Sequence, residues 1–106
     1  MNEMTEMTGI AFQIILFAGN GRSCAMEAIH EAKEGNFEEA DRLIEEAKTE
    51  LGKAHQFQTQ LLTEEASGKK NDINIILIHS QDHLMTAMTV KDLAIEIIEL
   101  HRLKNV

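Results

Sequence analysis

The sequence predicts an all-α protein, an antiparallel up-down-up bundle of three long helices within one domain spanning residues 1–106. Three observations predict it. The chain contains no proline in 106 residues, and proline costs about 3 kcal/mol inside a helix, so its absence fits long uninterrupted helices. Apolar and small residues recur every three to four positions through three successive stretches, the signature of a helix with one buried face. Two glycine-marked breaks, near Gly35 and Gly68, divide the chain into thirds.

The first stretch runs from Met4 to Lys33, with apolar or small residues at 4, 7, 11, 14, 18, 21, 25, 28 and 32. Gly35 supplies its stop. Asn36 is the expected N-cap of the second helix, with Glu39 three residues later in an asparagine version of the capping box. The second stretch carries Phe37, Ala40, Ile44, Ala47, Leu51, Ala54 and Leu61, with Gln58 as its one interruption. Glu38 and Arg42 stand four apart in the favourable order for an ion pair. Residues 66–72, ASGKKND, form the second break, with Gly68 as the stop and Asn71 or Asp72 as the next cap. The third stretch opens on INIILI, which in isolation also suits a buried strand. Helix is favoured because no partner strand exists and the helical spacing continues through Leu84, Met88, Ile95 and Ile98. Each helix then has about 30 residues and a length of roughly 45 Å.

Short connections make consecutive helices antiparallel neighbours. The third helix has more apolar surface than two neighbours cover, because Ile73, Ile75, Ile76, Leu77 and Ile78 point all round its axis. That excess suits either a well-packed bundle core or contacts with further subunits, and the size of the apolar patch favours the second.

The formal charge of −8 argues against sequence-independent nucleic-acid binding and against an anionic membrane surface, both of which need Lys and Arg clusters. The N-terminal apolar run lacks a basic leader, carries Glu3 and Glu6, and is interrupted by Gln13, which does not suit a secretory signal. No segment approaches the roughly 18 apolar residues of a membrane span. A single cysteine, Cys24, forms no intrachain disulfide. A soluble, cytoplasmic protein is expected.

The chemistry is concentrated in ILIHSQDHLMT, residues 76–86. His79 and His83 are four apart and share a helix face, whereas Asp82 is about 100° round the helix from His83. Three readings follow. Zinc suits a helical H-x-x-x-H pair, but zinc needs three or four protein ligands and no other partner is evident in the motif; the motif is also not H-E-x-x-H, because Ser80 holds the glutamate position. A nucleophilic histidine is the second reading, with His83 and Gln81 as groups that stabilise charge on a transferred phosphoryl group. The third is a structural helical interaction module, with the polar residues satisfied across the bundle.

The same stretch, extended through ILIHSQDHLMTAMTVKDLAIEIIELH, resembles the third helix of the lactose/cellobiose-type IIA components of the bacterial phosphoenolpyruvate-dependent sugar phosphotransferase system. ILFAGNGRSCAMEAI, EAKEGNFEEAD and KAHQFQTQLL resemble further stretches of that family in the same order. The resemblance implies that His79 accepts a phosphoryl group from the histidine-containing phosphocarrier protein. It further implies transfer to a cysteine of the IIB component, which phosphorylates a disaccharide entering through the membrane IIC component. Gln81 and His83 become supporting active-site residues. The resemblance also implies a homotrimer with Asp82 at its three-fold axis, binding one divalent metal ion such as Mg2+ per trimer. Flanking residues are closer to cellobiose-type than to lactose-type relatives, which points to β-glucosides such as cellobiose.

The line Ile75, Ile78, Asp82, Met85 is a seam on which copies of helix three could pair. Three carboxylates on one axis repel, and a hard dication with oxygen ligands offsets that repulsion. Around His79, Leu77, Leu84 and Met88 are the apolar residues expected to frame a docking patch. AGNGRS, residues 18–23, lacks the preceding strand and the Lys-Ser/Thr of a phosphate loop, so close helix packing or a slight kink is expected there. The family more often has Ala in place of Gly21, so helix one is expected to be looser at that point; Arg22 and Ser23 match the family pattern without an assigned task. Cys24 reads as a small hydrophobe. His55 matches a family position and is expected near the site or as a structural histidine. His30 and His101 have no supporting motif, and the acidic run of helix two reads as a solvated face.

Overall fold

The computed structural model describes residues 3–69 and 73–104, with side chains from residue 8 onward. It contains three helices: α1 (Glu3–Lys33), α2 (Phe37–Ala66) and α3 (Ile75–Lys104). They lie side by side in a rod of 56 × 21 × 19 Å. The up-down-up arrangement follows from connections too short to let a chain cross the bundle.

Both breaks work as the glycines require. Gly35 has φ 82° and Gly68 φ 98°, a region that residues with a Cβ rarely adopt. Around Gly35 the Asn36 N–H donates to the Glu31 carbonyl at 2.9 Å and the Gly35 N–H to Ala32 at 3.0 Å; around Gly68 the corresponding bonds are Lys69 to Glu64 at 3.0 Å and Gly68 to Glu65 at 3.1 Å. These are two Schellman closures, each satisfying carbonyls at a helix end.

The helix starts depart from the local rules. Asn36 occupies the N-cap position of α2, but its side chain makes no capping bond. It donates instead to Glu31 Oε2 at 2.9 Å, and Glu39 turns away to Arg42 at 2.6 Å. The expected capping box therefore does not form, because both of its side chains find charged or amide partners elsewhere. Arg42 bridges Glu39 and Glu46 rather than the expected Glu38. The expected caps Asn71 and Asp72 lie outside the described residues. The cap of α3 is Asn74, whose Oδ1 accepts from the Leu77 N–H at 2.8 Å; INIILI is thus helical from Ile75 onward, and Ile73 and Asn74 precede the helix.

Packing follows the predicted rows. In α1 the inward row is Ala11, Ile14, Ala18, Gly21, Ala25, Ala28 and Ala32, all buried. So many small side chains let α2 and α3 come close to α1, against which both pack extensively, while α2 and α3 touch each other less. Gly21 is the tightest point: a Cβ there would meet Leu51 Cγ at 2.6 Å and the Ala47 carbonyl at 3.3 Å. The bundle is closely packed at Gly21, not loosened as the sequence suggested. The core has two parts. One, towards the α1–α2 turn, gathers Ala25, Ala28, Ala40, Leu43, Ile44 and Ile98. The other, towards the start of α3, is built on Ile14, Ala18, Leu51, Ala54, Leu61 and Leu84.

Candidate phosphoryl-transfer site

The five polar residues of HSQDH fall on four sides of α3, the two histidines sharing one. Residue spacing of about 100° per position sends them there, and the bundle decides what each meets. Ser80 points into the core and is fully buried; its hydroxyl donates to the Leu77 carbonyl at 2.6 Å, so it costs no unsatisfied polar atom. His79 lies exposed on one flank and His83, one turn on, is half-buried beside it. Their rings meet edge to face, with centroids 4.5 Å apart and planes at 89°. The edge of one imidazole therefore steadies the other while leaving His79 open to solvent.

Gln81 lies on the opposite flank. It is two residues beyond His79, about 200° round the helix, so the two side chains do not share a face. Its Oε1 accepts from Gln58 Nε2 of α2 at 2.6 Å. Gln58, which interrupts the apolar row of α2, is thus satisfied across the α2–α3 seam by a partner that spacing alone did not indicate. A polar residue interrupting a buried row was the available signal. Beside this amide pair a groove of about 250 Å³ is lined by Leu61, Leu62, Ile73, Leu77 and Ile78.

Asp82 is exposed on the side of α3 turned away from the core, in line with Ile75, Ile78 and Met85, which are also exposed. Thr86 donates its hydroxyl to the Asp82 backbone carbonyl at 2.8 Å, a bond in which the carboxylate takes no part. Among the described residues no three His, Cys, Asp or Glu side chains converge as a metal-binding group; a zinc site would need ligands from outside this set.

The expected docking patch is built differently. Leu84 is fully buried, and Leu77 and Met88 pack against the part of the core towards the start of α3. The exposed apolar side chains near this end are instead Ile73, Ile75, Ile78 and Met85, with Phe12 and Leu16 of α1 and Leu62 of α2. His55 is exposed and lines a shallow groove with Leu51, Gly52, Met88 and Lys91, one turn along α2 from Gln58. Arg22 and His30 are exposed and His101 is half-buried. Cys24 is half-buried against the part of the core towards the α1–α2 turn. Burial, reinforced by the carboxylates of Glu46, Glu27 and Glu50, raises its thiol above the ordinary value, which keeps it protonated and a poor nucleophile at neutral pH.

The family model for the lactose/cellobiose-specific IIA subunit of the phosphotransferase system matches residues 9–102. The lichenan-specific phosphotransferase enzyme IIA component of Bacillus subtilis is 57% identical over 101 residues, covering 95% of this chain and 90% of that protein. The crystal structure of the cellobiose-specific enzyme IIA from Bacillus anthracis superposes with a TM-score of 0.90 at 50% identity, covering 92% of this chain and 89% of that one. A IIA(Chitobiose)–HPr complex of the N,N'-diacetylchitobiose branch of the Escherichia coli phosphotransferase system gives a TM-score of 0.83 at 33% identity over 94% of this chain and 97% of that one. No helix of the described residues is long and apolar enough to cross a membrane.

Proposed function

This chain belongs to the lactose/cellobiose-specific IIA family of the phosphotransferase system, and on that footing we propose that it is a phosphoryl carrier that works through His79. The observation that carries the reading is the exposed His79 ring, braced edge-on by His83 at 4.5 Å, in the one motif that concentrates the chain's reactive groups. An imidazole nitrogen of His79 attacks the phosphorus of a phosphohistidine on the histidine-containing phosphocarrier protein. The donor N–P bond breaks as the new one forms. In the second half-reaction the IIB cysteine thiolate attacks, the His79 N–P bond breaks, and neutral imidazole is regenerated. Little covalent work is left to the protein beyond positioning and charge stabilisation. The relative solved in complex with HPr supports the first partner. IIB and the membrane IIC component follow from the family.

His83 serves as a support for the His79 ring. Gln81, on the other flank, serves a phosphoryl group only where a neighbouring chain or a docked partner brings that group to it. The apolar outward row of α3 supports assembly as a homotrimer about Ile75, Ile78, Asp82 and Met85. One Asp82 carboxylate is too few ligands for a cation, but three on an axis give an all-oxygen set that suits a hard divalent ion such as Mg2+, which keeps waters in its remaining positions. Such an ion would offset most of the charge of the three carboxylates; the phosphoryl chemistry belongs to His79. The sugar is a β-glucoside such as cellobiose, supported by relatives named for lichenan and cellobiose.

The test is incubation with phosphoenolpyruvate, the system's first enzyme and the phosphocarrier, followed by assay of acid-labile, alkali-stable phosphate. About one phosphate per chain is expected, and none in His79→Ala. Undiminished labelling of that variant, or no labelling of the wild type, overturns the assignment.

A further inference from the structure

The flank of α3 that carries His79 and His83 is the one turned towards α1. The other directions are taken: Ser80 points into the core, Gln81 meets Gln58 of α2, and Asp82 lies outward. α1 and α3 run parallel, because α2 is antiparallel to both. Their register follows from the core. Ile14 and Ala18 share one cluster with Leu84 and Ala87, and Ala25 and Ala28 share the other with Ala94 and Ile98, so a residue of α1 stands roughly level with the residue of α3 about 70 positions on. Phe12 is therefore level with Asp82 and His83, within about one turn of His79 along the bundle. Phe17 and Asn20 lean to the α2 side of α1, where they meet Phe57 and Glu50. Ile15 leans the other way and is half-buried towards α3. Phe12, three residues before it, stands on the rim of that seam. It is 54% exposed, and Leu16, one turn on, is 53% exposed.

This level of the bundle is almost free of charge. Residues 8–21 and 54–63 contain no Asp, Glu, Lys or Arg, and residues 73–90 contain only Asp82, which lies on the outward row. A single exposed Phe needs no explanation, but here an aromatic and an aliphatic side chain stand beside an exposed nucleophile in an uncharged belt. What covers them follows from the reaction. Transfer from one histidine to another sets two imidazoles on either side of one phosphorus, with the reacting atoms within about 3.5 Å. The donor protein must then lie on this flank, over the apolar side chains beside His79. We propose that Phe12 and Leu16 of α1 are the anchor on which the phosphocarrier seats, and that this partner presents apolar, uncharged side chains round its own phosphohistidine. The inference rests on the carrier reading given above and adds a docking surface to it. Carboxylates here would repel the anionic phosphoryl group as it arrives, whereas apolar contacts hold the partner without that repulsion.

Rapid-quench transfer from the phosphorylated phosphocarrier separates docking from chemistry. The double variant Phe12→Ser, Leu16→Ser changes two exposed positions, so helicity and melting temperature are expected to match wild type. Its half-saturating phosphocarrier concentration should rise roughly tenfold, with the maximal rate within about twofold of wild type. Met26→Ser, at a 41% exposed position of the same helix beyond the belt, should change neither. An unchanged half-saturating concentration in the double variant, or an equal rise in Met26→Ser, overturns the anchor, while labelling of wild type on His79 leaves the carrier reading intact. Absence of wild-type labelling overturns both. A smaller assembly on sedimentation of the double variant would assign Phe12 and Leu16 to a contact with a second copy, and also overturns the anchor. Raising salt from about 0.1 M to about 1 M should alter the half-saturating concentration less than threefold, because the belt offers no ion pairs to screen; a tenfold weakening overturns the uncharged character of the contact. A further measurement needs no variant. On titration of wild type with the phosphocarrier, the Phe12 ring and Leu16 methyl resonances should shift and the Met26 methyl should not; unmoved Phe12 and Leu16 signals at saturation overturn the proposal.

Discussion

Along α3 the row turned into the bundle is Ser80, Leu84, Ala87, Ala94 and Ile98, whereas the row turned outward holds Ile75, Ile78, Asp82, Met85, Leu93, Leu100 and Leu103. An ordinary surface helix is apolar inside and polar outside. Here the inner row is mostly small, and the outer row carries larger aliphatic side chains, with Ile75 84% and Leu103 69% exposed. The inner row suits close approach to an alanine-rich α1; the outer row is unpartnered within one chain. The difference teaches that α3 has two packing jobs. One builds the monomer with modest side chains, and the other keeps its larger apolar area for a further surface, which the proposed trimer would cover. His79 and His83 lie on the flank between these rows, where an exposed ring can stay open whichever row is covered.

Breaking the outer row should produce the largest effect. Ile78→Asp replaces a side chain at the proposed three-fold seam by a charge. Losing each buried aliphatic group forfeits roughly 3 kcal/mol, multiplied over three chains and worsened by the unpaired carboxylates. Sedimentation is expected to show monomers for the variant and trimers for wild type, with helicity unchanged because Ile78 is 51% exposed in the chain itself. An unchanged trimer would show that the outer row is covered by something else. The inner row is tested by Leu84→Ala, which should cost the fold about 3 kcal/mol in denaturant unfolding, since Leu84 is wholly buried and leaves a cavity. Its monomer-level loss should appear whether or not the protein is assembled, which separates the two rows cleanly.

Asp82 sharpens the comparison, being the acidic residue in the outer row closest to the histidines. Asp82→Asn is expected to lower affinity for Mg2+ by at least tenfold and to make assembly insensitive to chelator, while His79 labelling persists in whatever trimer forms. Sedimentation with and without chelator reads this directly; identical behaviour of wild type and variant would remove the axial ion. The smallest expected effect lies on α1. Gly21→Ala gains up to about 1 kcal/mol of helix propensity but drives a methyl into Leu51 at a cost of about 1–3 kcal/mol. A net loss of about 1 kcal/mol in thermal or denaturant unfolding is expected, and a net gain would mean that Leu51 moves aside freely.

Much of the bundle was legible in the sequence because its causes are local. Gly35 and Gly68 end helices since few other residues adopt their φ, and the inward rows of α1 and α2 follow from helical periodicity alone. The pairing of His79 with His83, and their separation from Asp82, are likewise consequences of 3.6 residues per turn. Other features had no local cause. Asn36 and Glu39 match a capping box in sequence, yet Glu31 and Arg42 compete for them successfully. The start of α3 is capped by Asn74, whereas the break at residues 66–72 pointed to Asn71 or Asp72.

The site divides in the same way. The sequence by itself determined which polar residues gather in one motif and how they are distributed round one helix, because backbone geometry fixes angles between side chains on a single element. Only the tertiary structure decided what those side chains meet. Packing against α1 and α2 buried Ser80, left His79 open, and set Gln81 against Gln58, a residue 23 positions away. Such a contact depends on how two helices are rotated about their axes, and that rotation is settled by the fit of Ala, Gly and Leu side chains across the whole bundle.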